Sequence, residues 1–236
     1  LAEQIQFQAK GGVTGIVPCG TTGESPTLSE AEHHRVVETA IAVGRPLGLK
    51  IIAGSGSNST HHAIELQRFA HTAGADASLQ VNPYYHKPSQ EGLYRHFKAI
   101  AEAVDMPHIL YNVPGRTVAD MGNDTVLRLA QIPNIVGIKD ATGNIERGSD
   151  LLQRAALLKR AHGDFAVYSG DDASTLALML LGGAGLTLSH YDAKGHLVVA
   201  RRILDSITPG WKQIGAVWLP LPHLLKTPGG SSIVEF

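Results

Sequence analysis

Short apolar segments rich in β-branched residues recur along the chain and alternate with amphipathic segments. Their apolar positions are nearly continuous, which is typical of strands buried on both faces of a parallel sheet. Seven segments have this pattern, at 14–20, 49–56, 77–85, 108–114, 135–141, 165–171 and 183–189. The segments between them, such as 29–44, 59–74 and 90–104, place apolar residues at helical spacing. The pattern therefore predicts an α/β fold built from repeated βαβ units.

The spacing of the predicted strands favours a closed (β/α)₈ TIM barrel, although spacing alone also permits a doubly wound sheet. Consecutive strands lie about 25 to 35 residues apart, as βαβ units require, and no GxGxxG turn follows the first strand. A barrel needs eight strands, and the chain opens within a helical pattern, so we expect its first strand to precede residue 1. We predict strands two to eight within 1–189 and a curtailed, divergent helical region at 190–236.

Composition and motifs exclude several classes of function. The 20 basic and 21 acidic residues are scattered, which argues against nucleic acid or an anionic membrane as a partner. The single cysteine, Cys19, rules out an intramolecular disulfide and favours a reducing compartment. No apolar run is long enough to span a bilayer. The 12 histidines form no HExxH or similar zinc motif, and no GxxxxGK[ST] loop is present, so we expect neither a metal nor a bound nucleotide.

Polar and aromatic residues cluster just after the predicted strands. In a βα barrel these positions meet at the C-terminal face, where such enzymes build their sites. The residues concerned are Thr21, Thr22, Glu24, Asn58, Tyr84, Tyr85, Tyr111, Asn112, Arg116, Lys139, Asp171 and Asp172.

Lys139 ends the apolar run IVGIK, where an ammonium group is unexpected. Burial penalises the charged form, so it lowers the pKa of a lysine from its usual value of about 10.4 and makes the nitrogen nucleophilic. A neutral lysine can form a Schiff base with a ketone or aldehyde. Alternatively, Lys139 forms a buried ion pair with Asp140 or Glu24. The segment alone does not choose between these interpretations.

Two tyrosines make the nucleophile hypothesis more attractive. Tyr111 and Tyr85 carry phenols that can donate and accept a proton while remaining mostly neutral, as imine and enamine chemistry requires. Taken singly, a tyrosine at a strand end is more often amphipathic packing.

Two further segments are suited to binding carboxylates. The turn GTTGES offers backbone N–H groups and the hydroxyls of Thr21 and Thr22 to an anion. The alternative is a glycine turn before a helix N-cap at Ser29, and both can hold together because Ser29 lies after the anion loop. Arg116, in the turn PGR, offers a planar fork to a carboxylate, where a solvated arginine is the alternative.

Five motifs, taken in order, resemble one enzyme family. GTTGES, NPYYHKPSQEGLYRHFKAIAE, LYNVPGRT, GIKDATGN and SGDD are similar to the motifs of the dihydrodipicolinate synthase (4-hydroxy-tetrahydrodipicolinate synthase) family of pyruvate-dependent class I aldolases. The resemblance runs from about residue 12 to residue 189. It implies a (β/α)₈ barrel, a Schiff-base lyase without a cofactor, and a role in lysine and diaminopimelate biosynthesis.

The resemblance also implies roles for individual residues. Lys139 would form the Schiff base with pyruvate, and Tyr111 would act as general acid and base. Thr21 and Tyr85 would complete a proton relay, with the tyrosine supplied by a neighbouring subunit. Thr22 would hold the pyruvate carboxylate.

Two more positions concern substrate binding. Arg116 would bind the carboxylate of the second substrate, L-aspartate 4-semialdehyde, and Thr187 would present its backbone to pyruvate. The family implies a cytoplasmic protein, or a plastid one in plants, that forms a homo-oligomer, either a dimer or a tetramer built as a dimer of dimers.

The chain departs from the family at the effector site for lysine. Lysine-inhibited members use a histidine and a glutamate where this chain has Glu30 and His62, whereas His33, Asn58 and Tyr84 match. We therefore expect a degenerate site with weak or absent inhibition by lysine.

Two other functions remain open from the sequence. A sister aldolase acting on N-acetylneuraminate or a 2-keto-3-deoxy sugar acid would keep Lys139 and Tyr111 but need groups that bind sugar hydroxyls. A non-catalytic barrel that binds a keto acid or assembles with partners would have no need of Lys139, Tyr111, Thr21, Tyr85 and Arg116 together.

Overall fold

The seven predicted strands are all present and parallel. The structure, a computed structural model, describes residues 1–161 and 163–188 and three segments at 211–214, 217–220 and 231–235. The strands are Gly15–Val17 (β1), Lys50–Gly54 (β2), Ala77–Val81 (β3), His108–Asn112 (β4), Ile135–Asp140 (β5), Ala166–Ser169 (β6) and Gly185–Leu188 (β7). The α/β class with a curled parallel sheet is therefore confirmed.

Helices follow the strands and cover the outside of the sheet. They are Ala2–Lys10 (α1), Glu30–Gly44 (α2), Thr60–Ala73 (α3), Gln90–Ala103 (α4), Pro114–Thr117 (α5), Asn123–Leu129 (α6), Ile145–Ala156 (α7) and Thr175–Leu180 (α8). The predicted N-cap of α2 is confirmed, because Ser29 accepts a hydrogen bond from the Glu32 N–H and the Glu32 carboxylate accepts one from the Ser29 N–H. Within the described residues, every helix is too short or too polar to cross a bilayer.

The C-terminal segment differs from its prediction. Its described residues form strands rather than helices, namely Trp211–Ile214 (β8), Val217–Pro220 (β9) and Ser231–Glu235 (β10). β8 and β9 pair antiparallel, whereas β10 lies between β7 and β1 and pairs parallel with both. The prediction of a helical region is wrong for these three segments; the rest of 190–236 lies outside the described residues.

β10 also changes the prediction that the barrel lacks a strand. In the structure the sheet closes through β10, with Ile233 opposite both Gly15 and Thr187. Without it, β1 and β7 would present unpaired backbone groups along two open edges. Ile233 and Val234 are β-branched residues that favour strands, so this segment can satisfy those groups.

Two apolar clusters hold the sheet in place. Outside it, Phe97 on α4 packs in a cluster with Leu110 of β4 and Ile138 of β5. Inside it, Ile109 and Tyr111 of β4 belong to a second cluster. This alternation along β4 is the pleat of a strand buried on both faces, and it places Tyr111 inside the barrel.

Candidate active site

Lys139 and Tyr111 lie side by side on neighbouring strands. They are register partners of β5 and β4, and the Lys139 Nζ lies 4.3 Å from the centre of the Tyr111 ring. Both are buried, and Lys139 is only 1% exposed. The strand that delivers the lysine is apolar because it is covered on both faces, so the amine lies where water has little access.

Asp140 and Glu24 are the acidic residues considered as ion-pair partners of Lys139. The Asp140 carboxylate accepts hydrogen bonds from Arg147 Nε (2.9 Å) and from the backbone and hydroxyl of Thr142 (2.8 and 2.6 Å). Consecutive residues of a strand point to opposite faces, so Asp140 points out of the barrel where Lys139 points in. Glu24 is exposed on its turn. This geometry argues against Asp140 as the ion-pair partner of Lys139.

Gly170, directly after β6, shapes the space that the lysine occupies. A Cβ at this position would lie 2.7 Å from Lys139 Cε and 2.9 Å from Lys139 Cγ, both too short for ordinary contacts. The Gly170 N–H donates to the Asp140 carbonyl at 2.8 Å. The lysine side chain therefore runs along a glycine, and its position is restricted by backbone.

A cavity of about 430 Å³ opens beside this pair. It is lined by seven of the residues singled out in the sequence, namely Thr21, Glu30, His33, His62, Tyr84, Tyr111 and Arg116. Lys139 does not line it. Tyr111 borders the cavity and also contacts the lysine, so it connects the cavity with the lysine site.

The remaining predicted residues lie outside the lining of this cavity. Thr22 is exposed on the turn after β1. Tyr85 is 88% exposed, with a left-handed backbone at φ 79°. Thr187 is buried and donates its hydroxyl to the Ser169 carbonyl at 3.4 Å. Asn58 donates to the Tyr84 carbonyl at 3.5 Å and thereby joins the loops after β2 and β3.

His33 gives the cavity a neutral imidazole. Burial lowers the pKa of His33, and its hydrogen bond to Gly54 only partly opposes that effect. Nε2 lies 2.8 Å from the Gly54 carbonyl, which can only accept, so Nε2 carries the proton. Nδ1 is then an acceptor, and it has no hydrogen-bond partner among the described residues. In the part of the chain that the structure describes, no three His, Cys, Asp or Glu side chains are grouped to bind a metal ion.

Comparison with known proteins decides the family. The sequence matches the Dihydrodipicolinate synthetase family over residues 1–218. The chain belongs to this family. A 4-hydroxy-tetrahydrodipicolinate synthase of Nitrosospira multiformis is 65% identical over 184 residues, which are 77% of this chain and 58% of that protein.

Solved structures of the family share the fold. The chloride-inhibited dihydrodipicolinate synthase of Acinetobacter baumannii, complexed with pyruvate, matches with a TM-score of 0.73 at 54% identity. The match covers 77% of this chain and 60% of the Acinetobacter chain. A DHDPS from Cyanidioschyzon merolae with lysine bound matches with a TM-score of 0.76 at 39% identity. That match covers 88% of this chain and 68% of the Cyanidioschyzon chain. The chain thus spans 58% of the Nitrosospira relative's length, under two thirds.

Within this member of the dihydrodipicolinate synthetase family, two residues of the site region were not predicted. Gly170 carries a signal, since the motif SGDD follows a strand directly, but the sequence does not show that it touches Lys139. Arg147 carries none, because nothing in the spacing of an arginine on α7 indicates that its side chain returns to Asp140 on β5.

Proposed function

We propose that the protein is a 4-hydroxy-tetrahydrodipicolinate synthase, which condenses pyruvate with L-aspartate 4-semialdehyde. The observation that carries the proposal is the buried pair of Lys139 and Tyr111, a lysine on a dry strand beside a phenol. Membership of the family and 65% identity to a synthase of that name support it.

The reaction follows from these groups. The Lys139 amine adds to the keto carbon of pyruvate, and loss of water gives an imine. Removal of a methyl proton, with Tyr111 as acid and base, gives an enamine whose carbon attacks the aldehyde of the semialdehyde. The amino group of the adduct then attacks the imine carbon, which closes the ring and returns the lysine as a free amine. Overall one molecule of water is released and no electrons are gained or lost, so the reaction needs no redox cofactor.

The cavity suits two acidic substrates. Thr21, in the turn after β1, and Arg116, on α5 after β4, both line it. Both groups can bind a carboxylate, the arginine through a bidentate contact. Arg116 is exposed, so a substrate can reach it directly from solvent.

We extend the proposal to architecture and assembly. We propose that β1 to β7 are strands two to eight of a (β/α)₈ barrel and that β10 occupies the position of the first strand. Tyr85 supports a homo-oligomer, because an 88% exposed tyrosine in the loop after β3 can reach the site of a second copy rather than its own cavity.

Trapping the Schiff base tests the proposal. Incubation with pyruvate and borohydride is expected to add the mass of one reduced pyruvate to the peptide that contains Lys139. The peptide with Lys50, an exposed lysine paired with Asp76, serves as the internal control and should stay unlabelled. Absence of an adduct would overturn the aldolase chemistry. An adduct with turnover of N-acetylneuraminate and not of aspartate semialdehyde would assign a sister aldolase instead.

Lysine is expected to inhibit this protein weakly or not at all, up to millimolar concentration. Glu30 and His62 line the same cavity as His33 and Tyr84, which supports a degenerate site in which an imidazole replaces the carboxylate that would meet an ammonium group. Steady-state inhibition assays measure this. A double variant with Glu30→His and His62→Glu should gain inhibition, and strong inhibition of the unmodified protein would contradict the prediction.

A further inference from the structure

A second pair of residues lies back to back with the reacting pair. Asn112 and Asp140 directly follow Tyr111 and Lys139 on β4 and β5, and they are also register partners. Because side chains alternate along a strand, Asn112 and Asp140 face the helices while the reacting pair faces the barrel interior. Any restraint between the outer residues therefore restrains the inner ones through a shared backbone.

Arg147, in the first turn of α7, provides that restraint. Its Nε donates to Asp140 at 2.9 Å, its Nη2 donates to the Met121 carbonyl, and its Nη1 lies 3.6 Å from an Asp120 carboxylate oxygen. The same Asp120 oxygen accepts a hydrogen bond from Asn112 at 2.8 Å. One guanidinium thus connects the carboxyl end of β5 with that of β4.

The contact between Arg147 and Asp140 is largely shielded from water, and the backbone of Arg147 is held at the start of α7. The side chains of Arg147 and Asp140 are 14% and 5% exposed, and the Arg147 N–H is held by the N-cap Asn144 at 3.0 Å. On the far side, Asn112 accepts from Asn82, the residue that follows β3, at 2.6 Å. The guanidinium presents its N–H donors in a rigid planar fork, and its three nitrogens face three separate partners, so the arrangement fixes position as well as charge.

The backbone ladder between β4 and β5 is irregular at the end far from the site. The register of β4 and β5 shifts between His108 and Ile109, at the opposite end from the site. Such an irregularity bends and twists a strand locally. The side-chain connection through Arg147 adds a second restraint at the carboxyl ends, where the reacting groups lie.

We propose that Arg147 is a positioning residue, which fixes the distance between the Lys139 amine and the Tyr111 phenol by joining Asp140 to Asp120 and Asn112. The inference rests on the proposed Schiff-base function. A displacement of about 1 Å between reacting groups can cost roughly 10²-fold in rate. Proton transfer between Tyr111 and the pyruvate imine is the step whose rate depends on this distance, whereas the amount of imine that borohydride traps at equilibrium depends on the lysine.

The test compares Arg147→Met with Arg154→Met. Arg154 lies on the same helix and pairs with Asp124 and Asp150 on the helical surface, without contact to a strand end. For Arg147→Met we expect borohydride adduct to form as in the unmodified protein, while exchange of the pyruvate methyl protons with deuterated water and kcat both fall roughly 10²-fold. Arg147→Lys should recover part of the loss, and Arg154→Met should lose nothing.

If Arg147 only stabilised the fold, the Arg147→Met variant would lose borohydride adduct and exchange of the pyruvate methyl protons to the same extent, because both require folded protein. If Arg147→Met does not fold, Asp120→Ala breaks the connection at a residue whose side chain is 55% exposed, and a loss of about tenfold in proton exchange is expected. A folded Arg147→Met, or an Asp120→Ala, with the exchange rate of the unmodified protein would overturn the inference.

An independent measurement separates this inference from the proposed function. The Ala141 N–H donates to the Asn112 carbonyl at 2.9 Å, at the strand ends that Arg147 joins. Its hydrogen–deuterium exchange should accelerate in Arg147→Met and not in Arg154→Met, with no substrate present. Unchanged exchange at Ala141 would overturn the positioning role, whereas the absence of a pyruvate adduct in the unmodified protein would overturn only the reaction.

Discussion

Replacing Lys139 with methionine is expected to lower turnover of pyruvate and aspartate semialdehyde by roughly 10⁴-fold or more, as removal of a covalent nucleophile does in other enzymes. Methionine is unbranched and apolar, so it can fill a site in which the lysine is 1% exposed. We expect the variant to remain folded, because an apolar side chain of similar length takes the place of a buried amine.

The measurement is a coupled assay of kcat/KM together with mass spectrometry after borohydride treatment. Lys98→Met is the matched control, because Lys98 lies on the surface of α4 and pairs with Glu102 at 3.3 Å. Its activity should equal that of the unmodified protein. Retention of activity in Lys139→Met, with circular dichroism and melting unchanged, would mean that another group forms the intermediate.

Acid should destabilise the fold through two buried histidines. Burial lowers the pKa of His108 and of His96 from 6.5 to about 4, and the nearby His86 adds to the effect on His96. Neither ring nitrogen of His108 has a hydrogen-bond partner among the described residues, and His96 shares one hydrogen bond with Thr60. Both rings are therefore neutral in the folded state at pH 7.

The sign follows from these lowered values. Above pH 6.5 neither state binds the proton, so the histidines do not affect stability. As the pH falls from 6.5 towards 4, the unfolded state takes up protons that the folded state cannot, and unfolding becomes more favourable. At 1.36 kcal/mol for each pKa unit, each histidine can lower the free energy of unfolding by about 3 kcal/mol by pH 4.

Urea unfolding between pH 7 and pH 4 measures this loss. His108→Met should flatten the pH dependence by about 3 kcal/mol, because methionine fills the site without titrating. His71→Gln is the control, since His71 is exposed on α3, and its curve should follow that of the unmodified protein. If His108→Met loses stability with pH as steeply as the unmodified protein, the histidine does not contribute.

The strands, and Lys139 and Tyr111 as candidate site residues, could be predicted because their signals are local. Each strand from β1 to β7 is a short apolar run, and Lys139 is conspicuous as a charge inside one of them. Tyr111 was located by its place at the end of the preceding strand. Such features depend on sequence patterns that burial imposes at each element separately.

Other features depend on contacts between distant elements. β10 was missed because its few residues carry little pattern, and because its place is determined by the two open edges at β1 and β7. The helical prediction for 190–236 failed at the described strands for the same reason. That Lys139 lies outside the cavity lining, in contact with Tyr111, is a matter of side-chain packing, and the return of Arg147 to Asp140 is a tertiary contact across a turn.

The pairing of Lys139 with Tyr111 across two adjacent strands has a consequence for how activity is lost. Both residues belong to the hydrogen-bonded sheet rather than to loops, so their strands cannot separate without breaking the ladder between β4 and β5. Local opening of surface segments leaves such a pair intact, whereas cooperative unfolding removes it at once. The protein should therefore be either native and competent or unfolded and inert, with catalysis and secondary structure disappearing at the same denaturant concentration.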